Sequence, residues 1–406
     1  LNPKLIIHVG SPRAGTLEQR PNGYRFAYEP DYKGPPVFLG IPVAQGSREW
    51  DAFPPPFDGL LPEGQLLEQL LVTRKLDRSD KWGQLAAVGG DLTGFLSALP
   101  EDSSSPPHVS APPEGPIGRR APIQPGKESL PYAVRDLVTY HSQRPLRMSI
   151  SGIQPKVAAI FRRKDRRFEI VPARGAYLLK PSPPAFPGTA ENEALTMHLA
   201  RLARIEVPPC GLVWSRDGQP VFWIERFDRR GQANRVRIRC EDACQLLGVP
   251  SSWKYLGNIE SLIRVVRECC GNPALQLAQL YRRILFCWIS GNGDMHLKNW
   301  SLIETGGMVK LSPAYDLLNT HLLLPDEEES ALSLCDRKTN WDRSLLVKTL
   351  AAGLCGLKPR MTQRILDELA AVPWQERIQS SELSENHKAV YGQLVDDRLR
   401  RLGLRV

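Results

Sequence analysis

The chain has 406 residues, of which 42% are apolar and 24% charged, with a net charge of +9. That length favours two or three packed units with cores large enough to hold without disulfides. No run approaches the roughly 18 apolar residues of a membrane span. The basic balance favours acidic partners such as nucleotide, nucleic acid or an acidic protein face, but no stretch is dense enough in Lys and Arg to establish DNA binding by itself.

Residues 4–9, 23–28 and 37–43 read as strands, with a turn at Gly10–Gly15 after the first. A helix follows over 66–76, where Leu66, Leu67, Leu70 and Leu71 share a stripe. These elements make a small α+β unit over residues 1–105. Residues 106–131 are rich in Pro, Ser and Gly, cannot bury enough surface to offset their ordering entropy, and read as a linker. Strands resume across 147–173 and at 176–182, a helix spans 191–203, and 211–227 forms a hairpin turning at Asp217-Gly218. Residues 132–230 are therefore expected to form a strand-rich lobe. The remainder, 231–406, is expected to be a helical lobe built around an apolar helix over 272–290, with further helices near 342–353, 360–371 and 384–402. The predicted fold is α+β and two-lobed, with an all-helical carboxy-terminal lobe.

Eight cysteines show neither disulfide-scaffold nor zinc-ligand spacing and are read as reduced thiols. With no charged-then-apolar leader pattern at the start, the expected compartment is the cytoplasm.

The sharpest chemical signal is Asn292-Gly293-Asp294-Met295-His296-Leu297-Lys298-Asn299, following the central helix. An Asp with an Asn five residues later is the catalytic-loop spacing of kinases. Phosphoryl transfer needs one carboxylate to orient the attacking hydroxyl and a neutral oxygen ligand to hold magnesium, and a short loop presents both. Asp316 follows a strand-like segment 17 residues beyond Asn299, where a hairpin would return it to the same place as a second metal ligand. Upstream, Lys180 ends an apolar strand, and Glu191 or Glu193 on the next helix can pair with it. Lysine, glutamate, D-x-x-x-x-N and Asp in that order are the order of a kinase site. There is no Walker A loop and no G-x-G-x-x-G; in their place stands Ser149-Ile150-Ser151-Gly152-Ile153-Gln154-Pro155-Lys156, whose amides and hydroxyls can cradle phosphates.

That segment resembles the phosphate-binding loop of the HipA toxin kinases. So do YLLKP, ENEALTMHLARL, WIERFDR at 223–229, EDACQLLGVPSSWKY at 241–255, GNGDMHLKNWS, LSPAYDLL and, in the amino-terminal unit, FDGLLPEG at 57–64. The resemblance covers most of the chain. It implies a two-lobed protein-kinase-like fold and an ATP- and Mg2+-dependent serine/threonine kinase. Asp294 would be its base, Asn299 and Asp316 its metal ligands, and Ser151, Gly152, Gln154, Lys156 and Lys180 its phosphate contacts. Glu225 and Phe227 would be its adenine hinge, and His296 and Tyr315 would line the nucleotide pocket. Ser149, with Ser151 as a second candidate, matches the family's autophosphorylated loop serine. The family phosphorylates aminoacyl-tRNA synthetases and binds a helix-turn-helix antitoxin of HipB type that sits on operator DNA; these are the partners the resemblance implies, with no membrane. Two other readings stay open. One is a small-molecule phosphotransferase of the aminoglycoside-kinase type, which shares G-D-x-H-x-x-N but to which FDGLLPEG is foreign. The other is a catalytically weak DNA-associated regulator.

Overall fold

Near the amino terminus, apolar runs pair into a five-stranded antiparallel sheet in the computed structural model, which describes residues 2–103, 123–126, 128–137, 154–171, 175–230 and 236–404. The strands are β1 (Lys4–Val9), β2 (Arg13–Arg20), β3 (Gly23–Tyr28), β4 (Ser47–Trp50) and β5 (Leu96–Pro100), in the order β4-β3-β2-β1-β5. Helices α1 (Pro55–Asp58), α2 (Gly64–Arg74) and α3 (Lys81–Val88) put Phe57, Leu70 and Leu85 into one core with Leu5, Leu17 and Phe26. Gly15 is required where β2 meets β3, because a Cβ there would lie 2.3 Å from the Ala27 carbonyl oxygen.

The strand expected over 37–43 is not formed. Phe38 and Ile41 make an isolated bridge, and Val43–Gln45 is a 3-10 turn. The reason is one buried hydroxyl. Tyr28 accepts the Val37 amide at 2.8 Å and donates to the Ile41 carbonyl at 2.6 Å, satisfying backbone groups that a ladder would otherwise use.

The second sheet is built from β6 (Val157–Arg162), β7 (Arg167–Ile170), β8 (Tyr177–Pro181), β9 (Cys210–Trp214) and β10 (Pro220–Glu225), in the order β7-β6-β8-β10-β9. The β9–β10 turn falls at Asp217-Gly218, as the dipeptide predicts, with Gly218 at φ 74°. Helix α4 (Thr189–Leu202) packs across β9 and β10. Leu130 and Leu137 are buried with Val157, Phe168 and Tyr177, so the chain just ahead of this sheet already belongs to its core.

A short ribbon, β11 (Arg229–Arg230) with β12 (Val236–Arg237), leads into the carboxy-terminal lobe. Its helices are α5 (Ala243–Leu247), α6 (Ile259–Cys269), α7 (Pro273–Ile289), the π-helical α8 (Ser344–Leu354), α9 (Pro359–Ala370), α10 (Trp374–Gln379) and α11 (Glu385–Arg401). Every side chain from Leu280 to Ile289 on α7 is buried, so this helix is the axle of the lobe. The lobe departs from the all-helical expectation in one sheet, β13 (Cys240–Asp242), β14 (Ser301–Thr305) and β15 (Met308–Leu311). Gly306 and Gly307, both at positive φ, turn the chain between β14 and β15.

The amino-terminal unit is fastened to the rest by buried polar contacts. Asp91 takes Arg229 at 2.8 Å and Arg237 at 2.9 Å. The Glu241 carboxylate accepts the Leu39 amide at 3.0 Å, and Gln245 donates to the Pro56 carbonyl at 2.9 Å. Charges this deeply buried persist only when paired. All eight cysteines are free thiols, and only Cys335 is exposed. Among the described residues no helix is long and apolar enough to cross a membrane.

Candidate active site

Helix α7 ends at Ile289, and Gly291 at φ 73° swings the chain into the loop singled out by its sequence. Asn292 ties that loop to a second one. Its side-chain Oδ1 accepts the Asp294 amide and its Nδ2 donates to the Asp316 backbone carbonyl, each at 3.3 Å. Asn299 folds back so that its Nδ2 donates to the Asp294 carbonyl at 2.9 Å. The other end of the same amide, Oδ1, is buried and has no hydrogen-bond partner, which a cation would supply. The β14–β15 hairpin pairs Leu302 with Leu311 and delivers Asp316 beside this loop. Asp316 takes φ 52°, a left-handed conformation that few side chains but Asp and Asn adopt readily.

Lys180, at the end of β8, donates to Glu193 Oε1 at 2.6 Å and also to Asp316 Oδ1. Lys156 reaches Asp316 Oδ2 at 3.5 Å. Lys180 and Glu193 are 2% and 1% exposed, so water sustains neither charge; burial opposes the Lys180 ammonium but Asp316 and Glu193 outweigh it, while burial pushes the Glu193 carboxyl up against the pull of Lys180. Burial would raise the Asp316 carboxyl, but Lys156 and Lys180 outweigh it and hold the group well below the usual carboxylate range. Asp316 is therefore an anion at neutral pH. Of the two glutamates that could meet Lys180, Glu193 does so; Glu191 accepts Ser182 Oγ at 3.4 Å instead.

Asp294, Asn299 and Asp316 border one cleft. Its wider part, about 500 Å3, is walled by them together with Gln154, Lys156 and His296. A narrower recess of about 110 Å3 adjoins at Asp316 and is bounded by Leu178, Ile224, Glu225, Phe227 and Tyr315. Gly59, Leu60 and Thr93 of the amino-terminal unit also line it. The rings of Phe227 and Tyr315 lie 5.6 Å apart, and the Tyr315 hydroxyl donates to the Lys298 carbonyl at 2.8 Å. His296 borders the wider part and Tyr315 the recess, and burial lowers His296 to about 4, leaving it neutral. Gln154 donates to the Pro181 carbonyl at 3.3 Å. The Glu225 amide is committed to the Pro209 carbonyl at 2.8 Å. Ser149, Ser151 and Gly152 lie outside the described residues.

Two residues not singled out in the sequence belong to this region. Tyr255 donates its hydroxyl to Asp294 Oδ1 at 2.7 Å. Lys298, buried inside the loop, reaches the Gly59 carbonyl at 2.9 Å, Glu63 at 3.1 Å and Asp242 at 3.5 Å. The one sequence hint was a lysine directly after Leu297 and two positions before Trp300, where an unpaired charge would be costly. A cleft with an ionised carboxylate, an orphaned amide oxygen, a second carboxylate and two buried lysines suits a polyanion carrying a divalent cation.

Comparison with known proteins agrees with this chemistry. Residues 148–375 match the family model of the HipA-like C-terminal domain, and residues 5–99 match that of the HipA N-terminal domain. The chain is similar to the protein named "Putative kinase Y4mE" of Sinorhizobium fredii, at 34% identity over 66% of this chain and 64% of that protein. A second so named kinase, of Haemophilus influenzae, is 32% identical over 47% of this chain and 58% of its own length, so the chain spans less than two thirds of either relative. The serine/threonine-protein kinase toxin HipA of Shewanella oneidensis is 25% identical over 87% of this chain and 83% of that protein. The solved structure of the Shewanella oneidensis HipA, HipB and operator DNA complex matches with a TM-score of 0.76 and 22% identity, over 98% of both chains; this shows a shared fold.

Proposed function

This chain belongs to the HipA-like family, and we propose that it is an ATP- and Mg2+-dependent kinase that phosphorylates serine or threonine on another protein. The observation that carries the proposal is the convergence of Asp294, Asn299 and Asp316, from two separate loops, on one cleft beside Lys156 and Lys180.

In this reading the adenine would enter the narrow recess lined by Ile224, Glu225, Phe227 and Tyr315, with backbone groups of Glu225 and Phe227 as its proposed hinge contacts. Lys180 and Lys156 meet the phosphates. The Asn299 Oδ1 and the Asp316 carboxylate would hold magnesium, which would supply charge neutralisation on the phosphates. Among the described residues no group of three His, Cys, Asp or Glu is placed to hold a metal. Magnesium held by one or two carboxylates would take phosphate and water as its remaining ligands. Asp294 orients the acceptor hydroxyl and takes its proton, and the lysines offset charge developing on the transferred group.

The biological setting follows the family. We place the chain in the cytoplasm as the toxin of a HipBA-type pair, restrained by a helix-turn-helix antitoxin of HipB type and reaching operator DNA mainly through it. An aminoacyl-tRNA synthetase is the proposed target, and Ser149 or Ser151 the proposed site of autophosphorylation. The amino-terminal unit favours this over a small-molecule phosphotransferase, because Gly59, Leu60 and Thr93 form part of the recess itself.

The test is a labelled-ATP reaction with a matched cell lysate, with and without Mg2+, followed by identification of the labelled protein. One Mg2+-dependent labelled band of synthetase size is expected. Label confined to small hydroxyl compounds would replace the protein-kinase reading with the small-molecule one.

A further inference from the structure

Asp294 has two carboxylate oxygens, and its Oδ1 is already bonded to Tyr255. Tyr255 sits on a short strap over 251–257 that lies directly on the catalytic loop. The Leu297 amide donates to the Lys254 carbonyl at 3.0 Å, and the Tyr255 ring stands edge-on to His296 at 5.0 Å. Strap and loop pass so close that a Cβ on Gly257 would lie 2.7 Å from the Leu297 side chain. Although Tyr255 is 43% exposed, desolvation on its buried side and the Asp294 charge both raise its hydroxyl, so it remains a donor.

The same strap is gripped from its other side by the amino-terminal unit. The Ser251 amide donates to Asp58 Oδ2 at 2.6 Å. Glu63 then bridges strap and loop with a single carboxylate, with Oε2 2.8 Å from Lys254 and Oε1 3.1 Å from Lys298. Glu63 is therefore the one amino-terminal side chain, among the described residues, whose carboxylate is paired with both segments that fix Asp294.

We propose that Tyr255 is a positioning residue for Asp294, and that Glu63 sets it, so that the amino-terminal unit controls the rate of phosphoryl transfer. The proposal rests on the kinase reading given above. By occupying Oδ1, Tyr255 fixes the carboxylate rotamer and leaves Oδ2 for the acceptor hydroxyl. A base that swings between rotamers spends much of its time out of line, and small misplacements of a reacting group cost large factors in rate.

The experiment compares Tyr255→Phe, Glu63→Gln and the double variant with the wild type. Label transfer from Mg-ATP into one lysate gives the rate, and ATP titration gives affinity. Each single change should lower transfer roughly 10- to 100-fold, with KM for ATP moving by no more than about twofold. The double variant should be no worse than the poorer single one, since both act on one element. Multiplying effects, or faster transfer by Tyr255→Phe as expected of a hydroxyl that merely plugs the site, would overturn the proposal. Hydrogen exchange gives a second readout that needs no activity. Amides at 251–257 and 294–299 should exchange faster in Glu63→Gln, and unchanged exchange there would also overturn it. A wild-type chain that transfers no phosphate sinks the kinase reading, while the exchange result still decides the mechanical link.

Discussion

Lys180 and Glu193 form a 2.6 Å ion pair with both side chains almost wholly withdrawn from water. Replacing Lys180 by Met strands the Glu193 carboxylate, and breaking a buried pair at one end costs roughly 3–5 kcal/mol. Lys180→Met should therefore lower the urea midpoint markedly. Arg162→Met, at an Arg162–Glu169 pair about half exposed on both sides, should shift it little. Equal midpoints in the two variants would contradict this account.

Asp294→Asn keeps the size of the side chain but removes the carboxylate proposed as the base. Transfer should fall by roughly 10²-fold or more, while thermal stability and ATP affinity stay close to wild type. Near-normal turnover would remove Asp294 from the mechanism.

Asn299 Oδ1 is buried with no partner. If it is a magnesium ligand, Asn299→Ala should raise the Mg2+ concentration needed for half-maximal transfer by an order of magnitude or so. Because the side chain also braces Asp294 through Nδ2, the maximal rate should fall too. A rate loss with an unchanged Mg2+ requirement would leave Asn299 as a brace only.

Glu329 sits between Arg398 at 2.9 Å and Arg401 at 2.7 Å and accepts the Trp288 indole N–H at 3.0 Å. Burial would raise its carboxyl, but Arg401, Trp288 and Arg398 hold it down to about 2. A carboxyl depressed by folding contributes fully above its ordinary value of 4.5 and ceases to contribute as pH falls through about 2. Melting temperature should drop across that interval by an amount matching on the order of 3 kcal/mol. Glu329→Gln should be less stable at neutral pH and flatter in acid; a wild-type slope in that variant would exclude the group.

That residues 292–299 and the Lys180 strand meet at one cleft was legible, because phosphoryl-transfer chemistry, if this is its site, constrains residue type and spacing within a few positions. Asp217-Gly218 was legible for the same reason, since the turn itself selects the residues. The choice between Glu191 and Glu193 was not. It depends on how α4 is rotated against its sheet, which is settled by packing from other parts of the chain. Tyr28 dissolved an expected strand with a hydroxyl that no local pattern reveals. Lys298 and Gly59 are 239 positions apart, and no window along the chain contains both. Such long-range polar contacts were the part of the site that sequence reading missed.

The left-handed backbone at residue 316 narrows what evolution can place there. Glutamate would carry the same charge, yet it would pay about 1–2 kcal/mol for that conformation and set its carboxylate one methylene deeper, into Lys156 and Lys180. Asparagine would accept the backbone but leave two buried ammonium groups short of an anion. Geometry and charge select aspartate by separate routes, so neither neighbouring amino acid can substitute quietly.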